Sequence, residues 1–230
     1  MQPISSLTAT AHELKSPLTL ISGLSSTLLA EGEPLTLHQR EYLERILLSS
    51  DRMLRVVQGL VNAYRVEQTS FQLQLEPVNI QQVAEEVAHE LDPYSRKMNQ
   101  EISVRLKRRT KLVVANKLLL SEALFNLVDN ALKHSRGREV IIGGRLQKEH
   151  TRLSVANDGA KLGEADFRRL EARLGGAAQP LQAQAGGSGI GLYIVRQLIA
   201  AMGGKVGLER ASKGTSVYVD LFTSTQLQLI

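Results

Sequence analysis

The 230-residue chain has no cysteine, which excludes disulfides and thiolate metal sites and fits a reducing compartment. No stretch approaches the roughly 18 apolar residues of a membrane span, and no signal-peptide pattern opens the sequence. Aromatic residues are scarce, and the one dense basic run, KRRTK at 107–111, contains none. Nucleic-acid binding calls for a larger patch or for stacking side chains, so this run reads as a solvated hairpin tip between two strands. The net charge of +5 is modest and there is no internal repeat. What is present, 43% hydrophobic and 22% charged residues, is enough for a real core in one or two domains.

The first 68 residues carry a heptad pattern. Ile4, Leu7, Ala11, Leu14, Leu18, Ile21, Ser25 and Leu28 alternate by three and four, the seam of a coiled coil or bundle. Gly32 and Pro34 break it. A second seam follows through Leu43, Ile46, Ser50, Met53, Val57, Leu60 and Tyr64, widened by Leu47, Leu54 and Val61. Two long helices with a short link make an antiparallel hairpin. One hairpin cannot bury both its faces but two make a four-helix bundle, so this segment predicts a homodimer.

Beyond residue 68 the periodicity changes. FQLQLEPV (71–78) alternates as a strand does, and NIQQVAEEVAHEL has helical spacing with Asn79 as N-cap. EISVRLK reads as a strand, LLLSEALFNLVDNALKHS (118–135) as a helix, EVIIGGRLQ and TRLSVAN as strands. GIGLYIVRQLIAAMGG is a helix ended by glycines, and KVGLER with TSVYVDLF closes the chain as a hairpin. The fold class expected is α+β: a helical hairpin (1–68), a hinge (69–74), and an α/β sandwich (75–226) with a mixed sheet and helices on one face. Residues 158 to about 188 read as one long loop, with a lid at about 160–187.

Three constellations could carry chemistry. On the helix at 118–135, Asn126 and Asn130 lie one turn apart opposite the apolar face of Leu120, Leu124, Leu127 and Ala131. With Glu122 and Lys133 they form either a solvated face or two neutral oxygen donors suited to a phosphate-bound Mg²⁺. GGSGIGL (186–192) frees the backbone to approach a ligand and opens a helix whose N–H groups suit phosphate. No Lys-Ser/Thr follows, so it is not a Walker loop, and it lacks the strand and acidic residue of a dinucleotide fingerprint. The strand end at Asn157-Asp158-Gly159 could hydrogen-bond a base or be a plain turn.

Their order resembles a bacterial sensor histidine kinase. HELKSP resembles the phosphoacceptor box, NLVDNALKHS the N-box, VANDG the first glycine box and GGSGIGL the second. The resemblance implies a dimerising phosphoacceptor hairpin followed by a GHKL-type ATP-binding domain. It makes His12 the phosphorylated residue, Glu13 its acidic neighbour, and Ser16 the residue where many members carry a phosphatase-promoting Thr or Asn. Asn130, helped by Asn126, would hold Mg²⁺; Lys133 and His134 would face the phosphates or ribose of ATP. Asn157 would hold the adenine amino group with Gly159 beneath the base, while Gly187, Ser188, Gly189, Gly191 and Leu192 would wrap the phosphates.

Departures from the pattern are specific. The first glycine box usually opens with Asp and here opens with Asn157; the next family glycine is Lys161; Asn116 stands where Asp is common; Phe167 is the only aromatic of DFRRL. They support an alternative, a weak or inactive pseudokinase acting as a dimeric scaffold. A gyrase- or Hsp90-like ATPase is disfavoured, because Asn126 replaces the glutamate that activates water there. The heptad is already running at Ile4, so the chain is expected to be the cytoplasmic core of a membrane-anchored sensor, with a response-regulator receiver domain as partner. Pro17 clashes with the carbonyl of Glu13 in a regular helix, which is expected to make the turn of His12 bendable.

Overall fold

The structure, a computed structural model, describes residues 3–30, 34–67, 73–107, 112–135, 137–159, 163–175, 190–210 and 214–224. The chain divides into two compact units, Met1–Arg65 and Val66–Ile230. Among the described residues no helix is long and apolar enough to cross a membrane.

The first unit is the expected hairpin, α1 (Pro3–Ala30) and α2 (Leu37–Glu67). α1 runs without interruption through Pro17. α2 starts on a capping box: Gln39 N–H donates to Thr36 Oγ1 at 3.2 Å while Thr36 N–H donates to Gln39 Oε1 at 2.9 Å. The helices are antiparallel and joined by side-chain bonds, Ser22 Oγ to Asp51 Oδ1 at 2.7 Å and Lys15 to Gln58. Every seventh residue of the α1 seam (Ala11, Leu18 and Ser25) is buried, as is Ser50 on α2. The alternate seam positions Leu14, Ile21, Leu28, Ile46 and Met53 stay exposed. One hairpin therefore covers half of its own seam.

The second unit is an α/β sandwich. β1 (Glu76–Asn79) pairs antiparallel with β3 (Leu112–Ala115). α3 (Ile80–Lys97) begins directly on Asn79, whose Oδ1 accepts from Gln81 N–H at 3.0 Å and Gln82 N–H at 3.4 Å. β2 (Glu101–Leu106), β4 (Glu139–Gln147), β5 (His150–Asn157), β7 (Thr215–Phe222) and β6 (Lys205–Arg210) form the main sheet in that spatial order. β2 and β4 are parallel, linked through α4 (Lys117–His134); the other pairs are antiparallel. α4 lies between α3 and α6 (Ile190–Ala201) on one face of the sheet, and α5 (Glu164–Gly175) packs beside β6.

Burial alternates along the strands. Val140, Ile142, Leu153, Val155, Leu208, Val219 and Leu221 point to the helices and are buried with Leu120, Leu124, Ile194 and Leu198. The helix-free face is polar. Arg152 there makes a two-pronged bond to Asp220 (2.7 and 2.6 Å), pairs with Glu209 and stacks 3.4 Å from the Tyr218 ring centroid.

Three expectations change. The strand at 71–78 is shorter: β1 begins at Glu76, because its ladder with β3 is only four pairs long and α3 is capped immediately after it. KRRTK is not the tip of a hairpin, since β2 and β3 belong to different sheets; residues 108–111 lie outside the described residues. The loop expected at 158–188 contains α5, while 160–162 and 176–187 of the expected lid lie outside the described residues.

The glycines after α6 have separate jobs. Gly203 takes φ 73° as the left-handed residue of a Schellman cap, with Gly203 N–H to Ala200 O and Gly204 N–H to Ile199 O, both 2.9 Å. Gly204 is a close-approach site: a Cβ there would lie 2.6 Å from the Asp220 carbonyl oxygen and 2.8 Å from Ile199 Cγ2. Gly203→Ala should cost about 1 kcal/mol for its backbone conformation alone. Gly204→Ala should cost more, about 1–3 kcal/mol, because backbone must move. Urea denaturation monitored by circular dichroism ranks the two; equal losses would contradict the steric account of Gly204.

Candidate active site

α4 is the centre of the site, and it is not the half-solvated helix that its sequence suggests. Its residues from Leu119 to Leu132 are buried apart from Ser121, Glu122 and Asn130, which are partly so. Asn126 is only 8% exposed. The side carrying Asn126 and Asn130 is packed against the start of α6, which the polar pattern could not reveal.

The covering element brings two boxes together. A Cβ built on Gly191, in the first turn of α6, would lie 3.4 Å from Asn126 Oδ1 and 3.6 and 3.8 Å from Asn130 Nδ2 and Oδ1. Asn126 Nδ2 donates to the Glu122 carbonyl at 2.9 Å, one turn back in its own helix. That bond fixes the amide and turns Oδ1 toward α6. Lys133 pairs with the buried Asp129 at 2.6 Å, and His134 is exposed at the end of α4. Leu192 is half-buried beside Gly191; Gly187, Ser188 and Gly189 lie outside the described residues.

At the end of β5, Asn157 Nδ2 donates to the Ala131 carbonyl of α4 and Oδ1 accepts from Thr215 N–H of β7, both at 3.3 Å. Asn157 thus joins the sheet to the residue after Asn130. Gly159 is half-buried just beyond. Gly214, at φ 70°, lies where a Cβ would be 2.1 Å from the Asn157 carbonyl oxygen.

Asp158 is a residue the sequence reading passed over. Its Oδ1 accepts from Ser135 Oγ at 2.8 Å and its Oδ2 from Arg138 N–H at 3.0 Å, tying β5 to the loop after α4. A Cβ on Gly137 would lie 1.8 Å from the same carboxylate. Burial pushes the Asp158 carboxyl up. The Ser135 hydroxyl and the N–H groups of Arg138, Asp158 and Glu139 outweigh it and hold the group below its ordinary value. The available signal was the exchange itself, an acid one residue beyond the usual position.

On the first unit, Glu13 and Ser16 are exposed on α1. His12 lies in the same helix, its side chain outside the described residues. Lys15, Ser16, Thr19, Leu20, Gly23 and Leu24 line an open groove of about 630 Å³ just C-terminal to it. In the second unit, Phe167 of α5 lies under the Arg210 guanidinium, 4.5 Å from its ring centroid, and Arg210 also pairs with Glu164.

Residues 6–69 match the His Kinase A (phospho-acceptor) domain, and residues 115–225 match the Histidine kinase-, DNA gyrase B-, and HSP90-like ATPase family. The chain belongs to the sensor histidine kinases. It is 30% identical over 218 residues to the sensor histidine kinase GacS of Pseudomonas protegens, covering 92% of this chain and 24% of that protein. It is 29% identical to the circadian input-output histidine kinase CikA of Synechococcus elongatus, covering 88% and 28% respectively. The histidine kinase domains here thus span about a quarter of the length of these curated relatives. Full-length ShkA in complex with AMPPNP superposes with a TM-score of 0.67 at 26% identity, covering 97% of this chain and 47% of that one. The Acinetobacter baumannii histidine kinase AdeS shares the fold, with a TM-score of 0.60 at 16% identity over 93% of this chain and 98% of that one.

The Asp158 bonds predict a pH effect. A carboxyl held below its unfolded value stabilises the fold above that value, and the stability is lost as pH falls through the folded one. At pH 7, Asp158→Asn should lower stability by about 1 kcal/mol, partial exposure having screened the charge-assisted bonds. The gap should close below about pH 4. Denaturation midpoints of both proteins between pH 3 and 7 test this; a pH-independent gap would count against a carboxylate role.

Proposed function

We propose that this chain is a catalytic core of two-component signalling, which moves the γ-phosphoryl group of ATP to His12 and then to an aspartate of a response-regulator receiver domain. The observation that carries the reading is the convergence of Asn126, Asn130 and Gly191, in a chain whose other unit matches the phosphoacceptor domain around His12. ShkA, which is similar along nearly the whole chain, is described with AMPPNP, an ATP analogue, and this supports ATP as the nucleotide.

The donor set fits Mg²⁺ arriving with the triphosphate. Such an ion keeps several waters and takes few protein ligands, and Asn126 Oδ1 and the Asn130 amide are neutral oxygen donors on one turn. When bound, the ion would neutralise charge on the phosphate oxygens. The N–H groups opening α6 favour the same anionic groups. Asn157 holds the base in this reading, with Gly159 beneath it.

Phosphoryl transfer then needs little covalent help from the protein. The lone pair of one His12 ring nitrogen attacks the γ-phosphorus in line. The bond from phosphorus to the bridging oxygen breaks, and ADP leaves with that electron pair. The ring keeps its other N–H through the attack and releases that proton to the Glu13 carboxylate as it returns to neutrality. Positioning supplies most of the acceleration. The reaction therefore requires the nucleotide-binding unit to meet His12; residues 69–72 of the hinge expected at 69–74 lie outside the described residues. The uncovered seam of Leu14, Ile21, Leu28, Ile46 and Met53 supports a homodimer, in which a second hairpin completes a four-helix bundle. Ser16 and the groove beside it would meet the receiver domain, and Ser16 would influence its dephosphorylation. An upstream sensor would complete the protein, with this core on the cytoplasmic side of a membrane.

Two experiments test the reading. Wild-type chain with Mg-ATP should acquire acid-labile label that His12→Gln abolishes; label surviving in His12→Gln overturns the assignment. Gly191→Ala puts a methyl group at ordinary contact distance from both amides, so stability should change by no more than about 0.5 kcal/mol. The same methyl occupies the space between the amides and the ligand, so Mg-ATP affinity should fall at least about tenfold in a calorimetric titration. Unchanged affinity would remove Gly191 from the site. The scaffold alternative, motivated by Asn157, predicts no thermal shift with any adenine nucleotide.

A further inference from the structure

We infer that the nucleotide site is permissive at the purine 6-position, accepting 6-oxo purine nucleotides (inosine and guanosine triphosphates) alongside ATP, and that Asn157 is the residue responsible. The inference rests on the nucleotide reading above.

Asn157 occupies the position that would read the base edge. A carboxylate there has only acceptors, so it pairs with an exocyclic amino group and repels an exocyclic carbonyl oxygen. An amide has both kinds of group. The orientation of this amide is fixed from two sides: Nδ2 faces the Ala131 carbonyl and Oδ1 faces the Thr215 N–H, each at 3.3 Å. Turning it over would set oxygen against oxygen and N–H against N–H. Each end makes one bond and has capacity for another, a second N–H on Nδ2 and a second lone pair on Oδ1. Adenine offers a donor at its 6-position, and guanine and hypoxanthine offer an acceptor. The amide can meet either.

The neighbouring acid cannot restore the discrimination. Asp158 is held in place by Ser135 Oγ and Arg138 N–H, and Gly137 packs against the same carboxylate so closely that a Cβ would overlap it. Swinging Asp158 toward a base would break the tie between β5 and the loop after α4. The carboxylate next to the base position is committed to structure, and the amide is left to read the base.

The experiment measures dissociation constants of Mg-ATP, Mg-ITP and Mg-GTP for the whole chain and for Asn157→Asp. ITP differs from ATP only in the base and lacks the 2-amino group of GTP, so without any variant it probes the 6-oxo edge alone, the O6 acceptor with the N1–H that accompanies it. In the wild type, ITP should bind within about tenfold of ATP, the spread expected when a hydrogen-bonding group can serve both partners. Asn157→Asp should widen that ratio at least another tenfold, with ATP tightened and ITP weakened. A wild-type preference for ATP above about a hundredfold overturns the inference while leaving the ATP reading intact. A ratio unchanged in folded Asn157→Asp also overturns it. Failure of all three nucleotides to bind the wild type overturns the nucleotide reading, and the inference with it.

Discussion

Burying α4 on every side forces its polar groups to find partners inside the domain. A buried amide without a hydrogen bond costs about 1–3 kcal/mol. Asn126 meets this demand by donating to its own helix, and the consequence is chemical: the oxygen is left facing α6. Asp129 meets it through Lys133. α6 comes close to both amides at its second residue: a Cβ on Gly191 would touch Asn126 and Asn130 at ordinary contact distance. Asn157, bonded to the Ala131 carbonyl, extends the same helix to the end of β5. Two sites that are remote in sequence are thus referenced to one rigid element.

The hairpin is governed by the opposite situation. It has too much apolar surface for its own geometry. Two helices in contact bury one line of each seam, and here the buried line is built partly of small or polar residues (Ala11, Ser25 and Ser50) while Leu14, Leu28 and Met53 face outward. Small residues let α1 and α2 approach, and the larger side chains are left for a wider core. At roughly 1.5–3 kcal/mol for each fully buried large side chain, five such positions per chain are ample reason for two hairpins to associate.

The elements were legible in the sequence wherever one periodicity dominated. The heptads of α1 and α2, the capped start of α3 at Asn79 and the alternating strands β4 to β7 were all readable, because local propensity and burial agree there. Legibility failed where tertiary structure decided the outcome. The polar stripe of α4 cannot announce that α6 will cover it. EISVRLK and LVVA look like hairpin partners, yet β2 pairs in parallel with β4 and β3 pairs with β1, a choice made by the crossover through α4. In the candidate site, Asn126, Asn130, Asn157 and Gly191 could be nominated from motif order. Asp158 could not, since its value lies in Ser135 and Arg138, twenty or more residues away in sequence. Asn116 illustrates the same limit. Substituted for a common Asp, it caps α4 through Oδ1 to Leu119 N–H at 3.2 Å and also donates to the Gln74 carbonyl, which a carboxylate could not do.

The two aspartates nearest the candidate site bear on how it would receive a polyanion in the proposed reading. At an effective dielectric of about 20, an unpaired carboxylate 5 Å from a phosphate charge would oppose binding by about 3 kcal/mol. Neither Asp129 nor Asp158 is unpaired. Asp129 has Lys133 at 2.6 Å, and Asp158 is held by a hydroxyl and backbone N–H groups. The groups that converge on Gly191 are amides, which bring no net charge. The acid at position 158 rather than 157 sits where protein donors solvate its charge. What the base position loses is a strong, one-sided acceptor. In the proposed nucleotide reading, relaxed base discrimination would follow from that exchange without any loss of the dipoles that would hold a triphosphate.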